Sequence, residues 1–461
     1  MRKFYLFLGL TLFGSCASRE IIDLDTASYL PKDKSFTLSG DSNLSNTSIP
    51  TFSKIFPDNA LESLIRTGLH ESPNWKAKLA KLEVVKTSSG LSLAESKPSL
   101  STKLGLKEGK EKTRESDFQE SNVPKLQSAA LFNWELDLWG KWKLIKNSSI
   151  MHIEEEKYLK DASKISFIHE IAEVWFLIAA KQEKLQILQT AIASQEKTLE
   201  FYQQRLNAGL DDNVTYMRQS VVLDQLKLER AKVLREQEVS KIKINSLTGK
   251  PIEEQLPEIP ILSEIDLPEL PKIFPTNALQ ERPDLKAKEA KLRESIFIEK
   301  SAEYDLFPSL GFQMSGISMT SNISEPFEQW KASFGPVFNF PIWNPKRKVL
   351  LATAKAESQL RKEEWKAIIF LAIEEIESST KSYIMGKNEY ALARKSSLAT
   401  KSILDTTKER FRAGLVSELQ LLEDERQFLK TNISELESRL QIFQFALNLS
   451  KSLGLEWREL N

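Results

Sequence analysis

The sequence predicts a mixed α and β membrane protein built as an internal tandem repeat. Three observations predict it. The first is duplication. Pro73, Lys76-Ala77-Lys78 and Ala80-Lys81-Leu82 recur as Pro283, Lys286-Ala287-Lys288 and Ala290-Lys291-Leu292, and Pro98-Ser99-Leu100 recurs as Pro308-Ser309-Leu310. Arg205 with Ala208-Gly209-Leu210 recurs as Arg410 with Ala413-Gly414-Leu415. Matches in one order at nearly constant offset mean that an element in one half has a counterpart in the other. The second observation is a pair of strands of period two in each half. The third is a very long stretch of helical text after each strand pair.

Composition excludes several classes. Lys+Arg and Asp+Glu are both 64 in 461 residues, so no basic surface marks a nucleic-acid partner. Mean hydropathy is −0.34 and no run is long enough for a spanning helix, yet the alternating strands of a membrane barrel average out on such a scale. The N-terminus is the one strongly apolar stretch. Arg2-Lys3, an apolar run to Phe13 and Gly14-Ser15 read as a signal peptide over 1–15. Cys16, the single cysteine of the chain, excludes an internal disulfide. A cysteine directly after small residues resembles a bacterial lipobox, although Phe13 stands where leucine is usual. Cys16 is therefore the expected lipidation site, and 16–56, polar and rich in Ser and Thr, an extended arm from a lipid anchor.

The first repeat, 57–250, opens with an expected helix over 57–95. In the strand that follows, Leu100, Thr102, Leu104 and Leu106 share one face, and Ser101, Lys103, Gly105 and Lys107 the other. A charged loop from Glu108 to Glu115 leads to a second strand, where Phe132, Trp134, Leu136 and Leu138 alternate with Asn133, Glu135 and Asp137. Residues 143–206 then contain neither Pro nor Gly, a helix of roughly 96 Å at ~1.5 Å per residue. Val174, Ile178, Lys181, Leu185, Leu188, Ile192, Gln195, Leu199, Tyr202 and Leu206 step along it by four and three, a coiled-coil register. Gly209 is a natural cap, after which 214–247 returns as a shorter helix.

A linker over 251–275 carries six prolines (Pro251, Pro257, Pro260, Pro268, Pro271, Pro275) and reads as an extended strap. The second repeat, 276–461, follows the same grammar. Leu310, Phe312 and Met314 alternate with Gly311, Gln313 and Ser315, while Phe334, Pro336, Phe338, Phe340 and Ile342 alternate with Gly335, Val337, Asn339 and Pro341. Two prolines there predict irregular pairing. A long helix over 346–411, interrupted only by Gly386, ends at Gly414, and 417–453 returns. Four amphipathic strands are too few for a closed membrane barrel, which needs at least about eight, so identical copies must supply the rest.

These residues carry a family resemblance. Trp134-Glu135-Leu136-Asp137-Leu138-Trp139-Gly140-Lys141 resembles the strand-to-helix signature of TolC-like outer-membrane factors. Arg282-Pro283-Asp284-Leu285-Lys286-Ala287-Lys288-Glu289-Ala290-Lys291-Leu292 resembles a second signature, typical of the lipoprotein (NodT-type) branch serving resistance-nodulation-division efflux pumps. Phe307-Pro308-Ser309-Leu310 and Gly335-Pro336-Val337-Phe338-Asn339-Phe340-Pro341-Ile342-Trp343 resemble two more. The resemblance implies a homotrimeric TolC-like fold, with a twelve-stranded outer-membrane β-barrel (four strands per chain) continued by a long periplasmic α-helical barrel. It implies an outer-membrane exit duct for small molecules or metal ions, driven by an inner-membrane efflux pump through a periplasmic adaptor. The alternatives are a duct for type I protein secretion and a membrane-anchored coiled-coil scaffold. A scaffold has no use for paired strands with one apolar face.

The resemblance also assigns sites. Gly209-Leu210 and Gly414-Leu415 would be the tips that touch the adaptor. Aligned from Gly414, the acidic gate positions of the family fall on Gln420 and Glu423, where Gln420 departs from the usual acid. Asp211 and Asp212 at the first tip could add to the same field, since acids around a symmetry axis favour cations. Trp139 and Trp343 at matching strand ends, with Phe307 beside them, suit the aromatic girdle of a membrane interface. Ser101, Lys103, Glu135, Asp137 and Gln313 would face lumen water. His70, His152 and His169 lie at unrelated places, with no metal-ligand spacing, nucleophile motif or phosphate-binding glycine loop. No enzyme activity, metal or cofactor is expected.

Overall fold

The computed structural model describes residues 35–36, 51–107, 125–270, 274–275, 277–320 and 329–455. A two-residue strand, β1 (Ser35–Phe36), precedes the first half, which comprises α1 (Phe52–Ile55), α2 (Asn59–Glu71), α3 (Pro73–Ala94), β2 (Ser99–Lys107), β3 (Lys125–Leu136), α4 (Lys141–Asn207) and α5 (Asn213–Thr248). The second half repeats the order with β4 (Phe274–Pro275), α6 (Asn277–Glu281), α7 (Pro283–Tyr304), β5 (Ser309–Thr320), β6 (Gln329–Asn339), α8 (Pro345–Arg412) and α9 (Glu418–Ser452). The expected signal peptide, Cys16, most of the arm and the charged loop from Glu108 to Glu115 lie outside the described residues.

The helix expected over 57–95 is two helices. Pro73 cannot continue a helix, because its ring occupies the place of an N–H, but it suits a first turn. Ser72 therefore ends α2 and caps α3, its Oγ accepting the Trp75 N–H at 3.5 Å. Asp58 has two tasks. Its Oδ1 accepts the Ala60 and Leu61 N–H groups at 2.9 and 3.0 Å, and its Oδ2 accepts the Trp175 indole N–H at 3.0 Å. The end of the arm is not merely extended. Phe52, in α1, is buried against Phe56 and His169, and the Phe56 ring packs tilted against Phe176, which in turn meets Phe443 at 4.7 Å. This aromatic cluster, with Ile168, Ile171 and Ile244, is the best-buried part of the core and lies midway along α4.

At 67 and 68 residues, α4 and α8 are each roughly 100 Å long. Helices of this length need lateral partners, which are the return helices α5 and α9 toward the tips and α3 and α7 nearer the sheet. On α4 the expected register is the packed one: Val174, Ile178, Leu188, Ile192, Gln195 and Tyr202 are buried. Gln195 is polar at a seam position, and its amide donates to the Gln219 side chain at 3.0 Å and backbone carbonyl at 3.1 Å, a device that fixes register. Gly386 lets α9 approach α8, since a Cβ there would sit 2.6 Å from the Phe445 ring.

The four long strands form one antiparallel sheet in the order β2-β3-β5-β6. Paired residues of antiparallel strands share a face, so the register sorts the side chains. Leu100 pairs with Phe132, Phe132 with Met314 and Met314 with Phe334, while Trp134, Phe312 and Pro336 form the next row. Rings of Trp134, Phe312 and Phe334 stack across the strands at 6.4 and 6.1 Å. The opposite face carries Ser101, Lys103, Asn133, Glu135, Gln313, Ser315 and Ser333, with a Ser315–Ser333 hydroxyl bond of 2.7 Å. Strand β6 pairs continuously despite Pro336, because it is an edge strand, where a missing N–H is tolerated. Phe340, Pro341 and Ile342 lie beyond its end. So do Asp137 and Leu138 beyond β3, and Asp137 faces no strand partner. Its two carboxylate oxygens accept the Trp142 and Lys143 N–H groups at 3.1 and 3.0 Å and start α4.

The linker is a strap bound to the helices. The Arg439 guanidinium on α9 donates to the carbonyls of Leu262, Ser263 and Ile265 and to the Tyr390 hydroxyl, and the Tyr383 hydroxyl donates to the Pro268 carbonyl at 2.6 Å. β1 and β4 pair antiparallel, Ser35 with Pro275 and Phe36 with Phe274.

Candidate functional site

At the end of the sheet nearest the helices the aromatic residues gather. The Trp139 indole N–H donates to the Pro308 carbonyl at 2.6 Å, its ring lies 5.5 Å from Phe307, and Phe307 is 5.7 Å from Tyr304. Trp343, at the matching end of β6, is 84 % exposed, with the Lys348 ammonium over its ring. Beneath this belt Asp305 bonds to Lys141 at 2.7 Å and Arg347 at 3.2 Å, so one acid joins the starts of both long helices. The apolar rows of the sheet thus end at a group of Trp and Phe residues beside fixed charge.

At the far end, the two hairpins terminate alike. Gly209 and Gly414 adopt φ of 69° and 72°, a left-handed conformation that a side chain disfavours. The Leu210 N–H returns to the Arg205 carbonyl and the Leu415 N–H to the Arg410 carbonyl, each at 2.9 Å, closing matched C-caps. Leu210 and Leu415 are 67 % and 74 % exposed, so each tip presents a bare leucine. The return helices also stop on left-handed glycines, Gly249 and Gly454, a second repeated pair that the Ala-Gly-Leu motif did not disclose.

The structure separates the candidate acids by role. Asp211 pairs with the Arg205 guanidinium. Asp212 caps α5, accepting the Thr215 N–H at 2.8 Å, and the bonds from Thr215 hold its carboxyl below the usual range. Gln420 donates to Asp424 at 3.2 Å, and Asp424 also accepts the Thr407 hydroxyl at 2.7 Å. Glu423 is exposed. Glu418 has no counterpart among the residues expected from sequence. Its carboxyl lies near the Tyr202 hydroxyl and the Arg205 guanidinium of α4, and burial raises it against the opposing pull of Arg205. Tyr202, Arg205, Asp211 and Glu418 thus gather where the first hairpin meets the second. Tyr202 was visible as a seam residue; that its hydroxyl meets an acid on another helix depends on α4 packing against α9.

Arg282 of the signature motif is a structural clamp. Its guanidinium holds Asp284 through two bonds at 3.0 and 2.7 Å, Glu375 on α8 at 2.7 Å and the Ser452 carbonyl at 2.8 Å. Among the described residues one set of potential metal ligands converges: His152, Glu155 and Glu294. Lys291 already stands between the two carboxylates at 3.1 and 3.0 Å, in the place a cation would take. No catalytic arrangement is built there.

Paired amphipathic strands, an aromatic boundary and two long capped hairpins define a membrane channel with a helical extension. The chain belongs to the outer membrane efflux protein family, whose model matches residues 64–250 and 274–455. It resembles the pyoverdine export outer membrane protein OpmQ of Pseudomonas aeruginosa, 23 % identical over 470 residues and covering 99 % of this chain and 98 % of that protein. The probable efflux pump outer membrane protein TtgC of Pseudomonas putida is 21 % identical over 416 residues, covering 88 % and 85 %. The outer-membrane channel OprN superposes with a TM-score of 0.79 at 20 % identity, over 93 % of this chain and 98 % of that one. The Campylobacter jejuni CmeC outer membrane channel gives 0.81 at 17 % identity, over 92 % of each. The fold is the TolC-like channel fold, and the protein is an outer-membrane efflux channel component, not an enzyme.

Proposed function

We propose that three copies of the chain form a passive exit duct for small molecules or metal ions, fed by an inner-membrane pump through a periplasmic adaptor. The observation that carries this is the four-stranded sheet with two open edges, β2 and β6, and one predominantly apolar face. Open edges demand strand partners and the apolar face demands lipid. Three sheets joined edge to edge give a twelve-stranded barrel, whose lumen takes the polar face. The chain divides into a leader (1–15), an arm (16–56), two repeats (57–250 and 276–461) and the linker (251–275). Leu210 and Leu415 contact the adaptor, and Glu423 with Gln420 lies at the periplasmic gate, which Glu418 and Tyr202 help to hold. Asp211 and Asp212 contribute charge there besides their local bonds. Trp139, Trp343 and Phe307 mark the periplasmic water boundary of the outer membrane. Cargo of this kind, rather than secreted protein, is favoured by the likeness to efflux relatives and by the Arg282-Pro283-Asp284 motif.

The test is the mass of the detergent-purified protein together with swelling of proteoliposomes in small sugars. A trimer that admits sugar is expected, with swelling increased by Glu418→Gln; a stable monomer in impermeable liposomes overturns the reading. Cys16 is proposed as the acylated first residue of the mature chain. Radioactive palmitate should label the wild type and not Cys16→Ser, and equal labelling excludes it.

A further inference from the structure

The polar face of the sheet is uneven in charge. Lys103 on β2 pairs with Ala129 on β3, Ala129 with Ile317 on β5, and Ile317 with Lys331 on β6. One cross-strand row therefore reads Lys-Ala-Ile-Lys, with both lysines exposed on the edge strands and two apolar side chains between them. All four residues border a single hollow in the sheet. Among the described strand residues of this face the one acid is Glu135. It stands six residues along β3 from Ala129, ~20 Å away at ~3.4 Å per residue. That exceeds the Debye length of ~8 Å at physiological salt, and Lys141 lies 3.9 Å from Glu135 on the other side. The two lysines thus stand clear of that carboxylate.

We infer that Lys103 and Lys331 form a basic constriction inside the barrel that favours anionic cargo. The inference rests on the trimeric duct proposed above. Threefold symmetry turns each lysine into a ring of three. The open edges that close the barrel are the strands that bear them, so Lys331 of one copy approaches Lys103 of the next. Lysine rings select anions by the physics that makes carboxylate rings select cations. Between the lysines the row holds only Ala129 and Ile317, which bring no opposing charge. An acidic gate at the hairpin tips would oppose such a preference only locally, because α4 separates the two ends by many Debye lengths. The favoured solute class is small organic anions or anionic metal chelates.

The experiment places a thiol in the row and reads the potential there. Full-length A129C is reconstituted in liposomes and labelled with a sulfonate-bearing and an ammonium-bearing methanethiosulfonate of similar size. The wild-type chain, with Cys16 alone, is the blank. The anionic reagent is expected to react about tenfold faster than the cationic one at low salt, and the ratio to collapse toward one at high salt. K103Q/K331Q in the A129C background should bring the ratio near one, K331Q alone should give an intermediate value, and K103R/K331R should preserve it. A ratio near one with both lysines present, or one unchanged by their removal, overturns the inference while leaving the duct intact. Reaction of residue 129 with a lipid-soluble maleimide but with neither charged reagent would place this face in lipid, and the duct reading would fall with it.

Discussion

His169 shows how one residue makes the fold sensitive to acid. Its Nδ1–H donates to the Ile165 carbonyl at 2.7 Å, and its Nε2 is buried without a partner, against the ring of Phe52. Burial is the main cause that lowers its pKa to about 4, with Lys451 adding to it. The neutral form is therefore the folded form. Above the unfolded value of 6.5 neither state binds the proton, and no stability is lost. As pH falls from there toward about 4 the unfolded chain protonates first, and stability drops by as much as roughly 3 kcal/mol per chain. Melting of wild type and His169→Met at pH 7 and pH 4 tests this. The wild type should lose more stability on acidification than the variant, and equal losses would exclude His169 as a source.

At the scale of elements, the sheet sorts its residues by register, and neighbours in sequence should respond oppositely to charge. Met314 lies in the apolar rows and Gln313 in the polar ones. Met314→Arg should cost ~2–4 kcal/mol near the bilayer midplane and reduce the yield of assembled protein, whereas Gln313→Arg should assemble normally. Comparing the two on semi-native gels decides whether the face assignment holds. Most of this was legible beforehand, because period two is a local signal and the Phe132, Phe312 and Phe334 rows are written in it. The ends of elements were less so. Asp137-Leu138 continues the alternation of β3 in letters, but Asp137 turns to cap α4, and a cap competes with a strand only once the helix position is known. Pro73 was read only as part of the repeated pattern, and the helical text on either side ran through it. The approach of Glu418 to Tyr202 and the Arg439 grip on the strap join residues far apart in the chain, and no spacing rule reaches them.

For the whole molecule, Arg282 couples the halves of the second repeat and the end of the chain. Its side chain is 7 % exposed and faces Asp284, Glu375 and the Ser452 carbonyl together. Removing it leaves that carbonyl without its donor and two acids without their cation. Arg282→Ala should destabilise by about 1–3 kcal/mol and increase hydrogen exchange at the end of α9, with Arg282→Lys recovering part of the loss. Exchange unchanged at residues 449–453 would contradict the clamp.

The matched lengths of the hairpins set a rule for change. Descending helices of 67 and 68 residues and ascending ones of 36 and 35 bring Leu210 and Leu415 to the same number of turns from the sheet. A heptad lost from one pair alone would retract its tip by ~10 Å and leave the two tips of each chain at unequal heights. Length in this protein is thus a shared property of four helices, and an insertion in any one of them is tolerable only when the other three follow.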